Sequence, residues 1–80
     1  MEYMIGDIIL FATTYSPEYF LDCNGQLLQI RDYQALYSLI GIKFGGDGVN
    51  NFNLPNLLGS EPHPELRYCI CVMGVYPDRD

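Results

Sequence analysis

Residues 21–48 read LDCNGQLLQIRDYQALYSLIGIKFGGDG, and this stretch predicts most of the local structure of the chain. Asn24-Gly25 separates two short apolar runs, residues 21–23 and 27–30. Asn-Gly is a strong signal for a two-residue hairpin loop, because both central residues of a type I′ turn need a positive φ. We therefore predict that the two runs form a tight β-hairpin.

An amphipathic helix is predicted to follow directly. Four residues at the spacing i, i+3, i+4 and i+7 give it one apolar stripe: Tyr33, Leu36, Tyr37 and Ile40. Asp32 is placed to cap this helix or to lie in its first turn, where a negative charge suits the helix dipole. Gly41 is suited to the C′ position, and the glycine-rich residues 45–48 are predicted to form a loop.

Longer apolar runs on either side of this unit predict two strands. Residues 5–12 are apolar on both faces, which favours a central strand or a strand sandwiched between a helix and another chain. In residues 66–76, Tyr68, Ile70, Val72 and Tyr76 fall on one side, and Cys69, Cys71, Met73 and Val75 on the other. The prediction is an α+β fold in a single domain over residues 1–80. It has a small, mostly antiparallel sheet, one amphipathic helix and long irregular loops.

Composition narrows the classes of function. The chain has 80 residues, is 49% hydrophobic, and carries a net charge of −6 with four basic residues. Nucleic-acid binding and attachment to an anionic membrane both call for a basic face, so neither partner is expected. The longest apolar runs are far shorter than the ~20 residues of a membrane-spanning helix. No signal peptide is recognised, so synthesis in the cytoplasm is expected.

The residues that could carry chemistry have simpler interpretations. Cys69 and Cys71 alternate on one strand, and with Cys23 and His63 they would complete a tetrahedral zinc site. Their spacing is not that of a zinc knuckle, so three buried thiols are favoured. His63 lies between two prolines with no nucleophile nearby, which predicts an exposed loop residue. We expect no metal, no cofactor and no enzymatic activity.

Four segments in order resemble one family: CNGQLL, QALYSLIG, FGGDG and FNLPNLLG. They are similar to the phage tail collar domain, which occurs in phage tail fibres and in related bacterial proteins described as microcystin-dependent. The resemblance extends over nearly the whole chain, from residues 5–8 to the C-terminal strand. It implies a structural part of a phage tail or of a phage-derived tail-like particle.

The chain also departs from the family pattern. Family members usually have Pro-x-Gly-Trp where this chain has Pro17 to Phe20, so Tyr19 replaces the glycine and Phe20 the tryptophan. A positive φ at Tyr19 would be costly, so the local turn is expected to differ. Residues 54–60 lose the acid and both arginines of the family motif, and Leu58 stands where one arginine would be. The long insertion of the family is absent after residues 61–65, which makes this a minimal version.

The resemblance implies assembly with other tail or fibre proteins, as a homotrimer or bound to a trimeric tail protein. Apolar residues not covered by the helix are candidates for the interface: Phe11, Leu58, Tyr68 and Tyr76. Two alternatives remain. A receptor-binding module would contact a host glycan or protein through surface loop residues, for which the candidates are Asn50, Asn51, Asn53 and His63. A free-standing prophage protein would act as a regulator or decoy.

Overall fold

The computed structural model describes residues 3–77, and their fold is α+β, as the sequence predicts. The elements in order are β1 (Ile8–Phe11), β2 (Phe20–Asp22), β3 (Leu27–Gln29), a 3₁₀ turn (Ile30–Asp32), α1 (Gln34–Ile40), β4 (Asn51–Asn53) and β5 (Arg67–Cys71). They form a three-stranded antiparallel sheet in the order β1-β5-β2 and a two-stranded antiparallel sheet of β3 and β4. Within the described residues, no helix has the length and apolar character needed to span a membrane.

The central strand of the larger sheet is β5, and β1 lies at its edge. Ile70 of β5 lies opposite Ile8 on one side and opposite Leu21 on the other. The first alternative for residues 5–12, a central strand, was therefore wrong, and the second, a strand sandwiched between a helix and another chain, stays a prediction. Both faces of β1 are apolar for another reason: Ile9 packs into a small core on one face, and Ile8, on the other face, stays 43% exposed at the sheet edge.

The predicted hairpin at Asn24-Gly25 was also wrong, because the two flanking strands belong to different sheets. β2 pairs with β5, and β3 pairs with β4. The turn has a positive φ only at Gly25 (79°), whereas a type I′ turn needs two such residues. The Asn24 side chain instead accepts a hydrogen bond from the Gln26 amide at 3.1 Å, so the chain turns from one sheet into the other.

The helix forms near its predicted position, but it is entered through the 3₁₀ turn. Tyr33 occupies the N-cap position without a side-chain hydrogen bond, and Asp32 belongs to the preceding turn. The predicted capping role of Asp32 in α1 was therefore wrong, because the N-cap falls one residue later. The apolar stripe is confirmed: Leu36 is fully buried, and Tyr33, Tyr37 and Ile40 pack around it.

Alternation along β5 divides the core into two clusters, as predicted for the last strand. Ile70 and Val72 join the larger cluster, which contains Leu36, Phe52 and Leu54. Cys69 and Cys71 join a smaller cluster around Phe20 on the opposite face. Burial of each large apolar side chain contributes roughly 1.5–3 kcal/mol, so the larger cluster is the main source of stability.

Candidate interaction surfaces

An apolar groove opens on the face of the three-stranded sheet that carries Cys69 and Cys71. Its volume is about 450 Å³, and its lining includes Tyr3, Phe11, Tyr19, Phe20, Met73 and Val75. Phe20 makes edge-to-face contacts with Tyr3 and with Phe11, each with a ring-centroid distance of 5.1 Å. These contacts fix the groove floor, whereas Met73 is 58% and Val75 44% exposed at its margin. The groove is a concave, largely apolar surface, and Glu18 is the charged residue in its lining.

Tyr19 lines the groove in a backbone conformation that tyrosine rarely adopts. Its φ is 72°, and it is the one non-glycine residue with a positive φ among residues 3–77. The expectation of a different turn was wrong: the turn keeps the conformation that suits a glycine, and Tyr19 bears the strain. The ring is 55% exposed, so burial of the side chain does little to offset that strain. The substitution places an exposed aromatic ring in the groove.

The four predicted interface residues do not form one patch. Phe11 is half-buried and lines the groove. Tyr68 is half-buried on the opposite face of the sheet, where it packs against the larger cluster. Leu58 lies in a loop and is 65% exposed, while Tyr76 is 50% exposed, with its hydroxyl 2.6 Å from Ser38 Oγ. Phe11, Leu58 and Tyr76 therefore remain accessible to another chain.

The asparagine-rich segment is more ordered than a surface loop. Asn51 and Asn53 lie in β4, and Phe52 between them is fully buried. Asn53 Nδ2 donates to the Gly25 carbonyl at 2.8 Å, and Asn51 Oδ1 accepts from the Asp47 amide at 2.9 Å. The amides of Asn51 and Asn53 thus hold neighbouring segments of the chain in place, and Asn50 is the member of the group that is exposed.

Asp47 organises the loop before β4, a role that sequence reasoning missed. Its Oδ1 accepts hydrogen bonds from the backbone amides of Val49, Asn50 and Asn51 at 2.8, 2.9 and 3.1 Å. These three bonds hold the pKa of Asp47 below its ordinary value. An Asp followed by small and polar residues is the usual signal for such a side-chain-capped turn.

The remaining candidates for chemistry are His63 and the three cysteines. His63 is exposed, and its Nδ1 accepts the Glu65 amide at 3.1 Å. The three cysteines are buried and unbridged, with Cys23 in the larger cluster and the other two in the smaller one. Burial, followed by the proximity of Cys69 and Asp22, raises the pKa of Cys23 to about 12. No cluster of three or more potential metal ligands occurs among residues 3–77.

Comparison with models of known protein families gives a match over most of the chain. A model of the phage tail collar domain matches residues 6–62 of the 80-residue chain. The matched range contains β1 to β4 and the groove residues Phe11, Tyr19 and Phe20, and it ends before β5. It confirms the resemblance seen in the sequence, although the resemblance was expected to reach the C-terminal strand as well. No curated protein and no solved structure matches the chain.

Proposed function

Because the chain belongs to the phage tail collar domain family, we propose that it is an assembly component of a phage tail or a phage-derived tail-like particle, acting as a collar or adaptor at a fibre or tip. Membership of this family implies a structural role in a tail fibre and a location in the virion tail. The observation that carries the proposal is the family match over residues 6–62. Synthesis in the host cytoplasm before assembly is part of the proposal.

The apolar groove supports an assembly role. Small domains that leave apolar surface uncovered usually cover it in a complex. Phe11 and Tyr19 offer aromatic contact area there, and aromatic side chains are enriched at protein interfaces. We propose that this surface contacts a neighbouring tail or fibre protein. Leu58 and Tyr76 would add contacts elsewhere, in a homotrimer or in a complex with a trimeric tail protein.

Localisation in intact particles tests the structural role. Antibody labelling of purified particles should place the protein at the collar, fibre or tip. Tyr19→Glu adds a second carboxylate beside Glu18 at the groove and should sharply reduce incorporation into particles. Tyr15→Glu is the matched control, because Tyr15 is 71% exposed and does not line the groove. Particles that lack the protein would contradict the structural role. Equal incorporation of both variants would contradict the groove contact.

One observation favours the receptor-binding alternative. A second hollow, of about 230 Å³, has polar lining residues that include Gln29, Arg31, Gln34 and Asn50. Amide and guanidinium groups suit the hydroxyls of a glycan, so binding to host glycans should be lost in Asn50→Ala if this surface recognises a receptor. The regulatory alternative predicts a stable monomer that is absent from tail particles.

A further inference from the structure

The outer edge of β1 presents unpaired backbone groups. The Cys71 amide donates to the Asp7 carbonyl at 2.8 Å, which fixes residues 7 and 71 as a hydrogen-bonded pair. Pairs alternate along an antiparallel ladder, so Ile9 and Phe11 bond β5 while the amides and carbonyls of Ile8 and Leu10 point away from it. Within residues 3–77, no other segment bonds the backbone of Ile8 or Leu10.

The outer edge of β3 is open in the same way. Ile30 donates to Asn50 at 2.9 Å, and Leu54 donates to Gln26 at 3.0 Å, so the even-numbered residues of this segment bond toward β4. Both backbone groups of Leu27 and the Gln29 N–H therefore point outward. The Gln29 carbonyl, at the N-cap of the 3₁₀ turn, accepts the first bond of that turn. Both side chains are exposed, Leu27 by 54%. Apart from the bond within the 3₁₀ turn, no backbone hydrogen bond from another segment reaches either residue in the described part of the chain.

The chain itself bonds part of the other two sheet edges. At β2, the Phe20 amide donates to the Pro17 carbonyl at 3.0 Å, and Gln26 Nε2 donates to the Asp22 carbonyl at 3.1 Å. At β4, residues of the glycine-rich loop bond Asn51 and Asn53, each at 3.1 Å. Open edges commonly carry lysine or proline against unwanted pairing, and neither residue type occurs in β1 or β3.

We propose that β1 of one copy pairs antiparallel with β3 of the next copy, so that three copies close into a ring. Two different edges that bond each other make a heterologous interface, and such interfaces give rings when the rotation closes. Each copy would thereby satisfy both of its open edges by β-augmentation. The inference rests on the homotrimer of the proposed function and assigns its contact surfaces.

Side-chain and charge complementarity favour one register. When Leu10 lies opposite Leu27, Ile8 lies opposite Gln29, and all four outward-facing residues are used. The exposed Leu27 then covers Leu10 of the neighbouring copy. The antiparallel direction brings Asp7, at the start of β1, close to Arg31, just after β3. Arg31 is available, because its side chain is 82% exposed and its nearest carboxylate contact, to Asp32, is 4.0 Å.

Proline substitutions at the two edges test the pairing. Leu10→Pro and Leu27→Pro each remove an outward N–H and leave the bonds to β5 or β4 in place. If a proline variant does not melt cooperatively like the wild type, and is therefore misfolded, Leu10→Lys and Leu27→Lys replace the proline variants in the test. Tyr15→Lys is the control for added charge. We expect light scattering to give a trimer for the wild type and Tyr15→Lys, and a monomer for each edge variant.

Mixing the two edge variants gives the sharpest result. Each variant retains the edge that the other has lost, so a 1:1 mixture should form a dimer with one intact β1–β3 contact. If both variants remain trimeric, the edge pairing is wrong and the trimer stands. If the wild type is a dimer, and the β1 variant dissociates while the β3 variant does not, a symmetric β1–β1 contact replaces the proposed one. A monomeric wild type would overturn the ring and the homotrimer, and labelling of particles would still test the structural role separately.

Discussion

The Arg67 guanidinium binds the Asp22 carboxylate, with Nη1 at 3.1 Å from Oδ1 and 3.0 Å from Oδ2. The same guanidinium donates to the carbonyls of Thr13 and Thr14, at 3.1 and 2.9 Å. One side chain thus connects β5, β2 and the turn that precedes β2. Ser16 Oγ also donates to Asp22 Oδ1, at 2.5 Å, so this carboxylate is the centre of the polar contacts around the turn.

Acidification should destabilise the fold through Asp22. Partial burial tends to raise the pKa of Asp22, but hydrogen bonds from Ser16, Cys69 and Arg67, together with the charge of Arg67, outweigh it and hold the pKa below its ordinary value of 3.8. A carboxyl whose pKa is lower in the folded state stabilises the fold fully above its unfolded-state pKa, and this stabilisation is lost as the pH falls through the folded-state pKa. We expect the free energy of unfolding, measured by urea titration, to fall below about pH 4. The loss should be smaller in Asp22→Asn.

Removal of the guanidinium should weaken the same connection at neutral pH. Arg67→Met keeps most of the side-chain length and should cost about 1–2 kcal/mol, since the pair is about one-third exposed and its bonds are partly replaced by water. Arg31→Met is the matched control and should change the free energy of unfolding by less than about 0.5 kcal/mol. Equal effects of the two substitutions would show that the Asp22 contact has no special role.

Local sequence patterns predicted the helix and strands of this fold better than they predicted which strands pair with each other. The stripe of α1 and the two faces of β5 follow from residue spacing, which reports which side of an element is buried. The pairing of β2 with β5 depends on contacts across more than 40 residues, and Asn24-Gly25 carries no information about them. The groove was missed for the same reason, because Tyr3, Phe11, Tyr19 and Val75 meet only after the sheet has formed. The one signal for the groove in the sequence was Tyr19, an aromatic residue at a position where the family usually has glycine.

Gly46 should be the least replaceable glycine of the loop before β4. A Cβ at this position would lie 2.8 Å from the Asn51 carbonyl oxygen and closer still to the Phe52 Cα, and both are backbone atoms of a strand. Gly46→Ala should therefore cost about 2–4 kcal/mol, the sum of backbone strain and overpacking. Gly59→Ala is the control, because Gly59 also has a positive φ but open space around it, and it should cost about 1 kcal/mol. Thermal melts that rank the two variants equally would contradict the close approach at Gly46.

The three thiols should be inert in the folded protein. Burial is the first cause that raises the pKa of Cys23, Cys69 and Cys71, and the thiolate is the reactive form. We expect Ellman's reagent to label none of them at pH 8 under native conditions and all three in guanidinium chloride. EDTA should leave the melting temperature unchanged. Stoichiometric zinc in the purified protein, with loss of stability in EDTA, would show that the thiols bind metal.

Relief of the backbone strain at Tyr19 should affect stability and assembly in different ways. Tyr19→Gly removes a positive-φ penalty of about 1–2 kcal/mol, against an entropic cost of glycine of roughly 0.5–1 kcal/mol and little lost burial. We therefore expect the melting temperature to stay the same or rise, whereas Tyr15→Gly, at an exposed residue without a positive φ, should lower it. If the ring serves the groove, Tyr19→Gly should also reduce incorporation into tail particles. If Tyr19→Gly were less stable than Tyr15→Gly, Tyr19 would be retained for packing within the fold. Its strained conformation would then need no binding partner to explain it.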